Sequence, residues 1–250
     1  MLATIENWLA MTGQTSPEVE AQSPLAGDAR WSPELQVAHG AWSALAYAVD
    51  HLHAVKTLVA DARVLHTHAP FTLLRSAIEN AATAVWLLAP GPRTKRVSRR
   101  LKLAHHEAWE SGNVHKLMSA ETLAGKRTAE ERMTEIRGLA TSLGISPSDV
   151  AGRFGYESVV RQAGEATGLG EDLAALLWRL CSGFAHGKYW ASLSFLERQE
   201  VPRAGEAGVL DVRLTTDIDR ILTVTQVPFL FTDRALQLYE QRRRSPYGPA

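Results

Sequence analysis

Arg179, Ser182 and His186 lie three and four residues apart in the stretch Trp178-Arg179-Leu180-Cys181-Ser182-Gly183-Phe184-Ala185-His186-Gly187. On an α-helix that spacing puts all three side chains on one face, with Arg179 and His186 about 10 Å apart along the axis. A guanidinium stays charged and presents a planar fork of donors that suits a phosphate. An imidazole titrates near neutral pH and takes or gives a proton. One face carrying both has the minimum equipment for metal-independent cleavage of RNA. His186 would activate a ribose 2′-hydroxyl, Arg179 would stabilise the charge at phosphorus, and Ser182 would be a supporting hydroxyl. One helix supplies one such set, and a second copy across a two-fold axis would supply another. The competing reading is a buried polar network in which His186 bonds Ser182 or a carbonyl and Arg179 pairs with Glu79, because buried charges must be paired. Both readings stand on the sequence.

Other residues divide in the same way. Arg75 and Glu79 sit four apart on an otherwise apolar stretch. They read as a salt bridge within the helix or between helices, or as a pair that orients Arg179 or His186. Tyr189 and Trp190 could stack a base or pack into the core. The run from Arg93 to Lys102 contains Arg96, Arg99 and Arg100, which would hold RNA phosphates or form a solvated basic helix start. Cations are less favourable at a helix N-terminus, which points to an anionic partner. Arg242, Arg243 and Arg244 read as a solvated tail. No metal site is expected. His51 and His53 do not share a helix face, nor do His105 and His106. Asp50 with His53, and His106 with Glu110, have ligand-like spacings but lack the paired Glu-x-x-His motifs of a carboxylate-bridged bundle. No phosphate-binding glycine loop or dinucleotide fingerprint is present, so no cofactor is expected. Cys181 neighbours Arg179 but points elsewhere, as a core cysteine.

The elements that would position these residues are mainly helical. After a short helix over 5–11, residues 1–32 read as a loosely attached N-terminal arm, packing through Trp8 or Trp31. Ser32-Pro33 then gives a cap and a first-turn proline. Leu35, Ala38, Trp42, Leu45, Val49, Leu52 and Val59 form the stripe of a long amphipathic helix to about residue 62. Residues 71–88 are apolar nearly all round and predict the central buried helix. Further helices are expected over 94–118, 129–143, 156–166, 173–185 and 217–243, the last kinked at Pro228. Residues 190–195 and 209–214 alternate with period two and predict a small β-hairpin before the last helix, although 190–195 also fits a continued helix. The organisation is therefore an arm, one helical bundle over 33–243 with a hairpin insertion at about 190–215, and a flexible tail over 244–250.

Composition bounds the partners. The 250 residues are 45% hydrophobic and 22% charged, with 27 basic and 27 acidic side chains and no formal net charge. A sizeable core is affordable, and chain-wide attraction to a polyanion is excluded, which leaves a local patch as the only route to RNA. The single cysteine fits a reducing, cytoplasmic setting. No stretch reaches the ~20 apolar residues of a membrane span, and the N-terminus lacks a basic, then apolar, signal pattern.

A late helix carrying Arg179 and His186, with six residues between them, in an all-α domain resembles the HEPN superfamily. The stretch Leu73-Leu74-Arg75-Ser76-Ala77-Ile78-Glu79, followed by Trp86 and the basic run, looks like uncharacterised bacterial HEPN-like proteins in which an Arg…Glu helix precedes the Ser…His helix. Six residues is the long end of the family's spacing, and Leu180 stands where active members often carry a polar residue. The resemblance spans about residues 35–240 as an order of elements. It implies a dimeric metal-independent endoribonuclease of toxin–antitoxin or phage-defence type, with an antitoxin or other protein as a partner. The alternative is a non-catalytic helical module that binds a protein partner or a small anionic ligand.

Overall fold

A computed structural model describes residues 1–123, 125–201 and 211–247. The protein is a mainly α bundle with one small antiparallel hairpin before the last helix. Helix α1 spans Leu2–Thr12, α2 Pro24–Trp31, α3 Val37–Lys56, α4 Ala69–Leu88, α5 Arg93–His115 and α6 Ala120–Leu123. Helix α7 spans Ala129–Ser142, α8 Pro147–Ala151, α9 Tyr156–Thr167, α10 Glu171–Ala185, α11 Tyr189–Phe195 and α12 Ile218–Arg243. Strands β1 (Glu197–Val201) and β2 (Asp211–Thr215) pair with Glu197 opposite Thr215. No helix among the described residues is long and apolar enough to cross a membrane.

Helix α4 is the centre, as its composition predicts. Every residue from Ala81 to Leu88 is buried, so both the wide and the narrow faces of its last two turns need cover. Helices α3, α5, α9, α10 and α12 all pack against it. Each large apolar side chain buried in this way contributes about 1.5–3 kcal/mol. Helix α3 presents the expected stripe of Ala38, Trp42, Leu45, Val49 and Leu52, and its last turn widens into a π-turn at Thr57–Asp61. Helix α12 starts at an Asp217 cap, whose carboxylate accepts from the Arg220 N–H at 2.7 Å, and runs through Pro228 as one helix.

Four expectations are corrected. Residues 1–32 are not a loose arm. Ile5, Trp8 and Leu25 belong to the main core, and the Trp8 and Phe229 rings lie 4.7 Å apart. The Ser-Pro start signal operates at Ser23-Pro24, where the Ser23 hydroxyl accepts from the Ala26 N–H at 3.1 Å and opens α2. At Ser32-Pro33 it does not. The Ser32 hydroxyl instead donates to the Leu35 carbonyl in a bend, and α3 opens four residues further on. The segment 190–195 is helical rather than extended, because it lies on α10. A Cβ at Gly183 would come within 2.6 Å of the Ala191 Cβ, so Gly183 permits the close approach of α11 to α10. Val209 and Leu210, expected in the second strand, lie outside the described residues. The tail is also less free than expected. Arg242 donates to the Leu88 and Ala89 carbonyls, and Arg243 donates to the Glu18 carbonyl.

A buried ion pair ties α2 to α5. Asp28 is fully buried and receives Nε and Nη2 of Arg96, each at 2.7 Å. Nη1 of Arg96 also donates to the Pro90 and Gly91 carbonyls. Asp28→Asn is expected to cost about 3–5 kcal/mol, because it leaves a buried guanidinium without its counter-charge. The measurement is the shift of the urea midpoint; a loss below ~1 kcal/mol would place the pair among the weak surface bridges.

Candidate functional site

Helices α9 and α10 form the scaffold of the Arg179 face. Between them Gly168 and Gly170 hold φ of +77° and +91°, a left-handed backbone that suits glycine. A Cβ at Gly164 would lie 2.5 Å from the Gly170 carbonyl oxygen and 2.8 Å from the Ala174 Cβ, so the two helices meet backbone to backbone. Their ion pairs step in opposite directions. Arg161 of α9 holds Asp172 at 2.6 Å, and Glu157, a turn earlier, holds Arg179 of α10. The helices therefore run antiparallel. The inward stripe of α10, Ala174, Leu177, Cys181 and Phe184, is buried, and Phe184 stacks on Phe71 of α4 at 4.4 Å.

The outward face carries the three residues singled out by spacing. The Arg179 side chain is 59% exposed. Its Nε and Nη2 grip the two carboxylate oxygens of Glu157 at 3.2 and 2.6 Å. That fork holds the Glu157 carboxyl below the ordinary carboxylate range. Ser182 is half-buried and its hydroxyl makes no hydrogen bond among the described residues. His186 caps the helix C-terminus through its backbone N–H, which donates to the Ser182 carbonyl at 3.1 Å. Its imidazole is exposed and has no hydrogen-bond or ionic partner among the described residues.

The expected Arg179–Glu79 pair is not formed. Glu79 accepts from the neighbouring Trp178 indole N–H at 2.9 Å and holds Arg75 Nη2 at 3.1 Å, a bridge within α4. Arg75 and Glu79 thus brace Trp178 and touch neither Arg179 nor His186. Tyr189 and Trp190 do not pack into the core; both are exposed, with the Trp190 ring lying over Gly183. Sequence reasoning passed over Glu157, Leu173 and Leu176. The two leucines are exposed. Leu176 falls off the inward stripe of α10, so its signal is legible in hindsight, whereas Leu173 falls on that stripe and is exposed in the first turn of the helix. Glu157 had none, because its partner lies on another helix.

The basic run does not form one phosphate-binding surface. Arg96 is enclosed with Asp28 and is only 2% exposed, so it has no donor left for RNA. Arg99 lies 5.0 Å over the Trp86 ring and donates to the Trp86 carbonyl and to Gln162 Oε1. Arg100 turns toward Gly40 of α3 and Glu107. Residues that neighbour in sequence on a helix point about 100° apart, and here each finds a different wall. No group of three His, Cys, Asp or Glu side chains among the described residues could hold a metal ion.

No family model, no curated protein and no solved structure matches the chain.

Cys181 is fully buried beside Arg75, and burial pushes its thiol pKa far up. The thiolate is the reactive form. Native protein is therefore expected to resist labelling by a disulfide reagent at mildly alkaline pH and to take up one equivalent once denatured. Rapid labelling of the native protein would contradict the burial.

Proposed function

We propose that this is an RNA-directed, HEPN-like protein, a metal-independent endoribonuclease of toxin–antitoxin or phage-defence type, acting as a dimer in the cytoplasm. The observation that carries the reading is the exposed imidazole of His186, without a partner among the described residues, on the same helix face as an exposed Arg179. A structural histidine and arginine would be enclosed and saturated; this pair is open to solvent. In the proposed step His186 takes the proton of a ribose 2′-hydroxyl, whose oxygen attacks phosphorus. The bond to the 5′-oxygen breaks, and the second copy's imidazole gives that oxygen a proton, which leaves a 2′,3′-cyclic phosphate. Arg179 neutralises charge on the phosphoryl oxygens. The exposed Leu173 and Leu176 of α10 and the exposed Tyr189 and Trp190 that follow His186 supply apolar surface for the second copy or for stacked bases.

Glu157 occupies the fork of Arg179 that a phosphate would take. Exposed bridges of this kind are worth only about 0–1 kcal/mol, so a phosphate can displace it. The competing reading, a non-catalytic module that binds a protein partner, draws on those same exposed leucines.

The test is incubation of the purified protein with mixed RNA in EDTA. His186→Ala is expected to lower cleavage by about 10²–10⁴-fold, and Arg179→Ala by about 10²–10³-fold. Glu157→Gln should tighten RNA binding by freeing the guanidinium. Cleavage that persists in both alanine variants, or a parent inactive after removal of any co-purifying protein, sinks the nuclease reading.

A further inference from the structure

Among the described residues, Arg93 and Arg100 are the arginines of the α5 basic run with a buried nitrogen that has no hydrogen-bond partner; Arg93 still lies beside the Asp28 carboxylate at 3.6 Å. Arg96 is saturated by Asp28 and two carbonyls, and Arg99 by Trp86 and Gln162. The Arg100 side chain is only 14% exposed, and its Nε and Nη1 are buried with no partner. The nearest carboxylate, Glu107, stands 3.7 Å from Nη1, beyond hydrogen-bond reach. Burial pulls the Arg100 pKa below its ordinary value, and Glu107 only partly offsets that. A buried guanidinium without hydrogen bonds is a standing cost to the fold.

The fold also builds a seat for it. A Cβ at Gly40 would lie 2.8 Å from Arg100 Cδ and Nε, so the side chain rests directly on the α3 backbone. Beyond it opens a cleft of about 310 Å³ between α3, α4, α5 and α9, lined by His39, Ser43, Asn80, Arg100, Glu107 and Tyr156 among others. That is the low end of ligand-pocket volumes and is enough for a molecule of amino-acid size. The Asn80 side-chain amide donates to the Ser76 carbonyl, so its own oxygen remains free as an acceptor. Tyr156, its pKa raised to about 12 by burial and then by Glu79, Glu110 and Glu107, stays a neutral donor.

We propose that this cleft binds a small zwitterion of the α-amino-acid type, its carboxylate on Arg100 and its ammonium on Glu107. Arg100 lines the cleft, and a carboxylate there meets its positive charge. A phosphate dianion would meet Glu107 in the cleft, with Glu79 and Glu110 close to Tyr156. An ammonium group turns that acidic surround into an attraction. The site lies apart from the Arg179 face and does not depend on the RNA reading.

The experiment is a thermal-shift series with each of the twenty amino acids at millimolar concentration, beside inorganic phosphate and acetate. At least one amino acid is expected to raise Tm in a concentration-dependent way, with no rise from phosphate or acetate. The response is expected to vanish in Arg100→Met and to weaken in Glu107→Gln. It should also weaken in Gly40→Ala, where the added methyl presses on Arg100 without removing its charge. Arg100→Met also removes an unsatisfied buried charge, so the ligand-free variant should melt roughly 2–4 °C above the parent. The proposal is overturned if no amino acid raises Tm, if phosphate or acetate does so equally, if the response survives in Arg100→Met, or if that variant melts below the parent.

Discussion

The constraint on which the rest depends is the burial of the last two turns of α4 around their whole circumference. A helix with one apolar stripe can lie on a surface, but one that is apolar on every side must be enclosed. Helices α3, α5, α9, α10 and α12 supply that enclosure, and their positions follow from it. Helix α10 is set on α4 by the Phe184–Phe71 stack and by the Trp178 indole on Glu79. Once those inward contacts are fixed, the opposite face of α10 has one orientation left. The placement of Arg179, Ser182 and His186 at the surface is thus a consequence of core packing several residues away.

Charge is handled in two distinct ways. At the surface, Arg161 and Arg179 bridge α9 to α10 through carboxylates that water also reaches; such pairs add little stability but orient long side chains. In the interior, Asp28 and Arg96 form a pair enclosed by α2 and α5. Its contribution is one of register, since neither partner tolerates loss of the other. Arg100 belongs to neither class, being half-buried, with only the Glu107 carboxylate at 3.7 Å as a counter-charge and two enclosed nitrogens without a hydrogen bond.

The helices were legible in the sequence wherever apolar residues recur at three and four. The stripes of α3 and α10 and the apolar run of α4 fall within a few residues of their expected bounds. Legibility failed where a local signal has two outcomes. Ser23-Pro24 and Ser32-Pro33 are the same dipeptide, and only tertiary contact decides which one opens a helix. The alternation over 190–195 is equally compatible with a short helix that buries only Ala191. For the site, the spacing of Arg179, Ser182 and His186 gave a shared helix face and left its exposure open; in the structure Arg179 and His186 are exposed and Ser182 is half-buried. It could not give Glu157, because partnership across two helices depends on how they pack. The basic run misled for a related reason, since charge density in sequence says nothing of whether neighbouring arginines face solvent or α2, α4 and α3 in turn.

The meeting of residues 18–20 with residues 243–245 has a wider bearing. The Glu20 N–H donates to the Arg243 carbonyl at 2.9 Å, and the Ser245 N–H donates to the Glu20 carboxylate. The segment before α2 is thereby fastened to the last turn of α12, more than 220 positions away along the chain. Fraying at a helix end normally proceeds one residue at a time. Here loosening of the last turn of α12 also breaks the hydrogen bonds to the segment that leads into α2 and Asp28, the counter-charge of Arg96. The α1–α2 connection and the end of α12 thus behave as a single clasp, which couples the last turn of α12 to the buried Asp28.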